Sequence, residues 1–108
     1  MKPDTVYIVG IPYKIIYIDN PLDVDVNKRE LLFGQIDYWT NMIRIYDNGC
    51  PEEERWSRIL HEIIHGLITR LNLNNFAGND VHDDLDVLAL GITDILFRNN
   101  WIVTEEKG

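Results

Sequence analysis

The stretch PEEERWSRILHEIIHGLITRL, residues 51–71, decides how this chain folds. Its apolar residues recur every three or four positions, which is the spacing of one helix face. They are Trp56, Ile59, Leu60, Ile63, Ile64, Leu67, Ile68 and Leu71. Pro51 suits the first helical position, and the three glutamates after it favour the positive end of a helix dipole. The sequence therefore predicts an amphipathic helix over residues 51–71.

The segments on either side of this helix predict an α+β domain. Upstream, runs rich in β-branched and aromatic residues predict strands at 6–9, 13–18, 32–40 and 42–46, with 33–46 forming a hairpin. Residues 22–30 have no firm assignment. Downstream, an apolar stripe predicts a second helix over 82–98. We expect one domain over residues 1–108, with a small, mainly antiparallel sheet followed by two packed helices.

Composition limits the classes of partner. The formal net charge of −8 disfavours nucleic acid and anionic membranes, because phosphate binding needs clustered Lys and Arg. No apolar run has the length of a membrane span, and the opening residues lack the apolar core of a signal peptide. Cys50 is the only cysteine, which excludes an intrachain disulfide. We therefore expect a cytoplasmic protein. The sequence carries no signal for its oligomeric state.

The helix at 51–71 contains the pentapeptide His61-Glu62-Ile63-Ile64-His65. Side chains four residues apart lie on one helix face, so His61 and His65 can bind one Zn²⁺ together. Glu62 can then act as general base on the water that the zinc ion holds. The projection places both histidines beside the apolar stripe, and Gly66 leaves room for close packing next to His65.

A catalytic zinc ion needs a third protein ligand and an open position for water. Segment 80–86 is the obvious source, and His82 is the first choice because it projects at the edge of the apolar stripe. Asp86 and Asp84 are the alternatives. If Asp86 is not a ligand, its carboxylate can orient the imidazole of His82 by accepting the second ring N–H.

Three segments resemble the small phage and bacterial proteins related to the ImmA/IrrE metallopeptidases. They are Phe33-Gly34-Gln35-Ile36-Asp37 with Ile43-Arg44-Ile45, Leu60 to His65, and Leu88-Ala89-Leu90-Gly91-Ile92. The resemblance covers residues 32–100 and implies a compact zincin-like fold, zinc ligation by His61 and His65, and catalysis by Glu62. The third ligand of that group is usually a Glu on the second helix. This chain has no Glu between Glu62 and Glu105, and His82 falls at the corresponding position.

These patterns predict a zinc-dependent metallopeptidase that hydrolyses a peptide or protein substrate. The edge strand at 42–46 would pair with an extended substrate, as the resemblance implies. A different class of function is a zincin-fold protein with little or no turnover that acts by binding another protein. A purely structural metal site is the third interpretation.

Overall fold

The computed structural model describes residues 2–71 and the backbone of 81–98; in the second range the side chains of 81–84, 95 and 98 are not described. Four strands come first: β1 (Thr5–Ile8), β2 (Ile11–Ile18), β3 (Gly34–Asp37) and β4 (Met42–Tyr46). A short 3-10 helix, Pro21–Asp23, lies between β2 and β3. Two helices follow, α1 (Glu52–Leu71) and α2 (Val81–Arg98). The α+β architecture and both predicted helices are confirmed.

The sheet has the strand order β1-β2-β4-β3. β1 and β2 form an antiparallel hairpin, β3 and β4 form the predicted second hairpin, and β2 pairs with β4 in parallel. The prediction of an edge strand at 42–46 is wrong, since β4 lies inside the sheet and β3 forms that edge. The side chains explain the order. β4 contributes the fully buried Ile43 and Ile45, whereas β3 contains Gly, Gln and Asp and tolerates solvent at an edge.

Helix α1 covers one face of this sheet. Its buried residues follow the helical repeat along a single line: Glu52, Arg55, Ile59, Glu62 and Gly66. Ile59 joins the main core with Ile8, Tyr13, Ile15, Ile43 and Ile45, and Ile63 and Leu67 pack against that core from the flank. Glu62 lies on the same line and packs against Gly34 of β3, so this charged residue is buried as well.

Gly66 sets how closely α1 approaches the sheet. A Cβ atom at this position would lie 2.8 Å from Cδ1 of Ile8 in β1 and 3.2 Å from Cδ1 of Ile36 in β3. Both distances are shorter than ordinary contact, so a larger residue at this position would require the ends of the Ile8 and Ile36 side chains to move. The predicted packing role of Gly66 is confirmed, and it brings the preceding turn of α1, with His61 to His65, close to β3.

Asp47 ties the end of β4 to α1 and to the start of the chain. Its carboxylate lies 2.8 Å from Nζ of Lys2 and 3.2 Å from Nε of Arg55, and the Asp47 and Arg55 side chains are only 6% and 10% exposed. Burial by itself raises the pKa of Asp47. The hydrogen bonds from Lys2 and the Gly49 amide, with the charge of Arg55, outweigh burial and hold the pKa below its ordinary value.

We expect Asp47→Asn to destabilise the fold by about 3 kcal/mol at pH 7, because it leaves the buried Arg55 without its anion. A lowered carboxyl pKa contributes stability above the unfolded-state pKa of about 4, and that contribution is lost as the pH falls through the folded-state value. The difference in the free energy of unfolding between the wild type and Asp47→Asn should therefore become smaller in acid. Urea unfolding at pH 7 and pH 3 measures it, with the exposed Asp19→Asn as control. Equal urea midpoints at pH 7 would contradict the prediction.

Candidate functional site

A cavity of about 560 Å³ lies between β3, α1 and α2. We call it the histidine cavity, because His61, Glu62 and His65 all line it. One wall is the edge strand β3 with the residues just before it, and Asp86 of α2 closes another side. Three of the four residues of the predicted site therefore share one space, and the exposed edge of the sheet borders it.

The two histidines of α1 point toward the same spot. Their Nε2 atoms are 3.1 Å apart, and the ring centroids are 4.8 Å apart. Two imidazole nitrogens that bind one tetrahedral zinc ion lie about 3.3 Å from each other. At 3.1 Å the rings share one hydrogen bond when either carries its proton on Nε2, and a metal ion would replace that proton. The spacing thus fits a cation bound by both rings.

Asp86 contacts the opposite side of one of these rings. Its Oδ1 lies 2.7 Å from Nδ1 of His61, which is ion-pair distance, although the contact is not aligned as a hydrogen bond. The Asp86 side chain is 67% exposed and has room to align. A carboxylate at Nδ1 favours the tautomer that leaves the Nε2 lone pair available to a metal. Asp86 is therefore placed to orient His61. Its predicted contact with His82 involves a side chain outside the described residues and stays a prediction.

Glu62 is only 6% exposed, although a glutamate on a helix is normally solvated. Its carboxyl group packs against Gly34 of β3, where a Cβ atom would lie 2.9 Å from Oε2. Burial is the main cause that raises the pKa of Glu62 to about 8, and the charge of Asp86 adds to it. A hydrogen bond from the Ile36 amide acts in the opposite direction. A carboxyl group that titrates near neutral pH suits proton transfer.

Tyr38 fixes the end of the histidine cavity nearest to His65. Its hydroxyl donates a hydrogen bond to the backbone carbonyl of His65 at 3.2 Å and accepts one from Oγ1 of Thr69 at 3.0 Å. Arg70 lies over the Tyr38 ring, with 5.5 Å from its guanidinium carbon to the ring centroid. These contacts hold the residue that follows β3 against the turn of α1 that carries His65.

The third metal ligand is a prediction that the described residues leave open. Position 82 lies one helical turn before Asp86 on α2, but the side chains of His82 and Asp84 are outside the described part of the chain. Among the side chains that are described, no group of three or more His, Cys, Asp and Glu residues is arranged to hold a metal ion. The described donors that fit zinc are therefore the pair His61 and His65.

Sequence reasoning found the helix-borne residues of this site and missed its neighbours. It did not identify Gly34 as the contact of Glu62, Tyr38 as the contact of the His65 carbonyl, or Asp86 as the contact of His61. Gly34 precedes Glu62 by 28 residues and Tyr38 precedes His65 by 27, and no local pattern signals contacts over such separations. The position of Gly34 inside the predicted strand 32–40 was the only hint that something packs closely there.

Comparisons with protein-family models, with curated proteins and with solved structures find no match to this chain. None of the helices that the structure describes is long and apolar enough to cross a membrane.

Proposed function

We propose that this protein is a zinc-dependent peptidase whose site is the histidine cavity. One observation carries the proposal: the Nε2 atoms of His61 and His65 lie 3.1 Å apart beside the buried carboxyl group of Glu62. His61 and His65 would hold the zinc ion, and His82 is proposed as the third ligand. The likeness to ImmA/IrrE metallopeptidases in the sequence supports the same assignment.

When bound, Zn²⁺ would polarise a substrate carbonyl and lower the pKa of water to about 7. The remaining steps belong to the chain. Glu62 accepts the proton of the attacking water at its carboxylate and delivers it to the amine that leaves when the peptide bond breaks. Asp86 orients the ring of His61. The Ile36 amide holds the Glu62 carboxylate by a hydrogen bond, which keeps the base in place.

The edge strand β3 favours an extended peptide as the substrate. Its outer side has no strand partner among the described residues, and it lines the cavity next to Glu62. An extended chain can pair with such an edge through backbone hydrogen bonds. The net charge of −8 argues against nucleic acid and anionic membranes as partners. The single Cys50 supports a cytoplasmic location.

The deciding measurement is the metal content of protein purified without added metal. We expect about one zinc ion per chain, removed by a strong chelator and restored by zinc. Elemental analysis measures the stoichiometry, with protein carrying both His61→Ala and His65→Ala as control. A wild-type protein that contains no transition metal and takes up none from micromolar zinc would overturn the proposal.

One observation favours a binding protein as the second candidate. Trp39, at the turn between β3 and β4, is 96% exposed. Exposed tryptophans often anchor protein interfaces. Such a protein would keep its function after Glu62→Gln, whereas a peptidase would not, so that substitution separates the two functions.

A further inference from the structure

A second, larger hollow opens beside the histidine cavity. Its volume is about 880 Å³, and it lies between the first turns of α1 and the later turns of α2. The two hollows share four lining residues, Phe33, Ser57, Arg58 and Asp86. The two hollows are therefore direct neighbours, within reach of one peptide. We call the larger hollow the acidic cleft, after its lining.

The lining of the acidic cleft is strongly negative. Five carboxylates face it from α1 and α2: Glu52, Glu53, Glu54, Asp86 and Asp94. The described lining contains one cationic side chain, Arg58, whose guanidinium is 3.1 Å from Glu54. A concave surface with one sign of charge concentrates ions of the opposite sign. The cleft is therefore complementary to a cation.

Apolar side chains lie among these carboxylates. Phe33, Leu90 and Phe97 line the cleft, and Leu90 and Phe33 are both largely exposed. Lysine and arginine bury a long aliphatic stem along apolar surface while the charged tip meets anions. Arg58 already shows this chemistry at the rim, since its guanidinium carbon lies 4.6 Å from the centroid of the Phe33 ring. The lining therefore suits a basic side chain better than a small cation.

We infer that the acidic cleft binds a lysine or arginine side chain of a peptide whose backbone occupies the histidine cavity. The substrate class is then a protein or peptide segment with a basic residue near the bond that is cut. As a statement about cleavage, the inference rests on the proposed peptidase function. As a statement about binding, it stands on the cleft alone, and it is tested without any metal.

The test measures binding of two fluorescein-labelled pentapeptides, Ala-Ala-Arg-Ala-Ala and Ala-Ala-Glu-Ala-Ala, with a chelator present so that neither is cleaved. We expect the arginine peptide to bind the whole chain and the glutamate peptide to bind at least tenfold more weakly. The double variant Glu53→Gln with Asp94→Asn should weaken the arginine peptide by about tenfold, as expected for two lost ion pairs. The matched control, Asp4→Asn with Asp19→Asn, removes the same charge outside the cleft.

The control should change the affinity by less than about twofold, because charges beyond a Debye length are largely screened. Equal losses in both double variants would mean that only the overall charge matters, and would overturn the inference. A protein that does not bind the arginine peptide would overturn it as well. If the first double variant fails to fold, Asp94→Asn alone should weaken binding of the arginine peptide by about threefold. Absence of zinc would overturn the peptidase proposal and leave these ratios unchanged.

Discussion

Replacing Glu62 by Gln should lower the rate of peptide hydrolysis by about a thousandfold, which is the usual size of a general acid–base contribution. Glutamine keeps the shape of the side chain, and its carbonyl oxygen can still accept the hydrogen bond from the Ile36 amide. It cannot take a proton from water. Because Glu62 is not at the point where the two imidazoles meet, zinc affinity should change by less than about threefold. The measurements are kcat/KM on quenched fluorescent peptides and a competitive zinc titration.

Gly34→Ala offers a second, graded test of the same carboxyl group. Its Cβ atom would lie 2.9 Å from Oε2 and 3.1 Å from Cγ of Glu62, so the carboxyl group has to move away from its position beside Ile36. We expect the hydrolysis rate to fall by about tenfold to a hundredfold, because a displacement of about 1 Å in a reacting group has effects of that size. The exposed Asp19→Asn is the control.

A fully active Glu62→Gln protein would end the peptidase proposal and favour the binding protein.

The sequence predicted the parts of the fold that depend on local patterns. Both helices and the hairpin at 33–46 follow from the spacing of apolar residues and from turn residues close by, whereas the sequence predicted only two separate strands where β1 and β2 form a hairpin. Val9 and Gly10, between β1 and β2, adopt positive φ angles of 51° and 80°, as a tight hairpin turn requires. Such features are decided within a few residues of the chain, so the chain itself displays them.

The order of the strands could not be read in the same way. Either β3 or β4 could have paired with β2, because apolar residues alternate with polar ones in the sequence of both strands. The choice depends on the register of Ile15 with Ile43 across a parallel pair, which brings residues 28 positions apart together. The polar character of β3 explains the observed order after the fact. It was too weak a signal to predict the edge in advance.

The candidate site likewise contains features that the local sequence predicted and features that depend on distant parts of the chain. His61 and His65 are four residues apart on one helix, so their convergence is a property of helix geometry and was predictable. The burial of Glu62 is not, because it depends on Gly34 in β3. The contact between Asp86 and His61 requires the first turns of α2 to lie across α1. The sequence placed Asp86 beside His82 and gave no sign of its contact with His61.

Removing either histidine of the pair should reduce zinc affinity by at least a hundredfold. Structural zinc sites bind with about 10–16 kcal/mol through four ligands, so one ligand is worth about 3 kcal/mol, or a factor of roughly 150. His61→Ala and His65→Ala should therefore behave alike. Asp86→Asn should lower zinc affinity by about tenfold to a hundredfold, because it removes only the group that orients His61. Competition with a chromophoric chelator at pH 7 measures all of these affinities.

His82→Ala completes this series. The size of its loss in zinc affinity decides whether His82 is the third ligand. If His82 binds the metal, its loss should match that of His65→Ala; if it changes zinc affinity by less than about threefold, a different group supplies the third bond. Thermal unfolding gives an independent readout, since zinc at a hundred times its Kd adds about 2.7 kcal/mol to stability in the wild type and little in a variant that has lost a ligand. If His61→Ala and His65→Ala both bind zinc as the wild type does, the close approach of the two rings is only a hydrogen bond between them, and the proposed metal site is wrong.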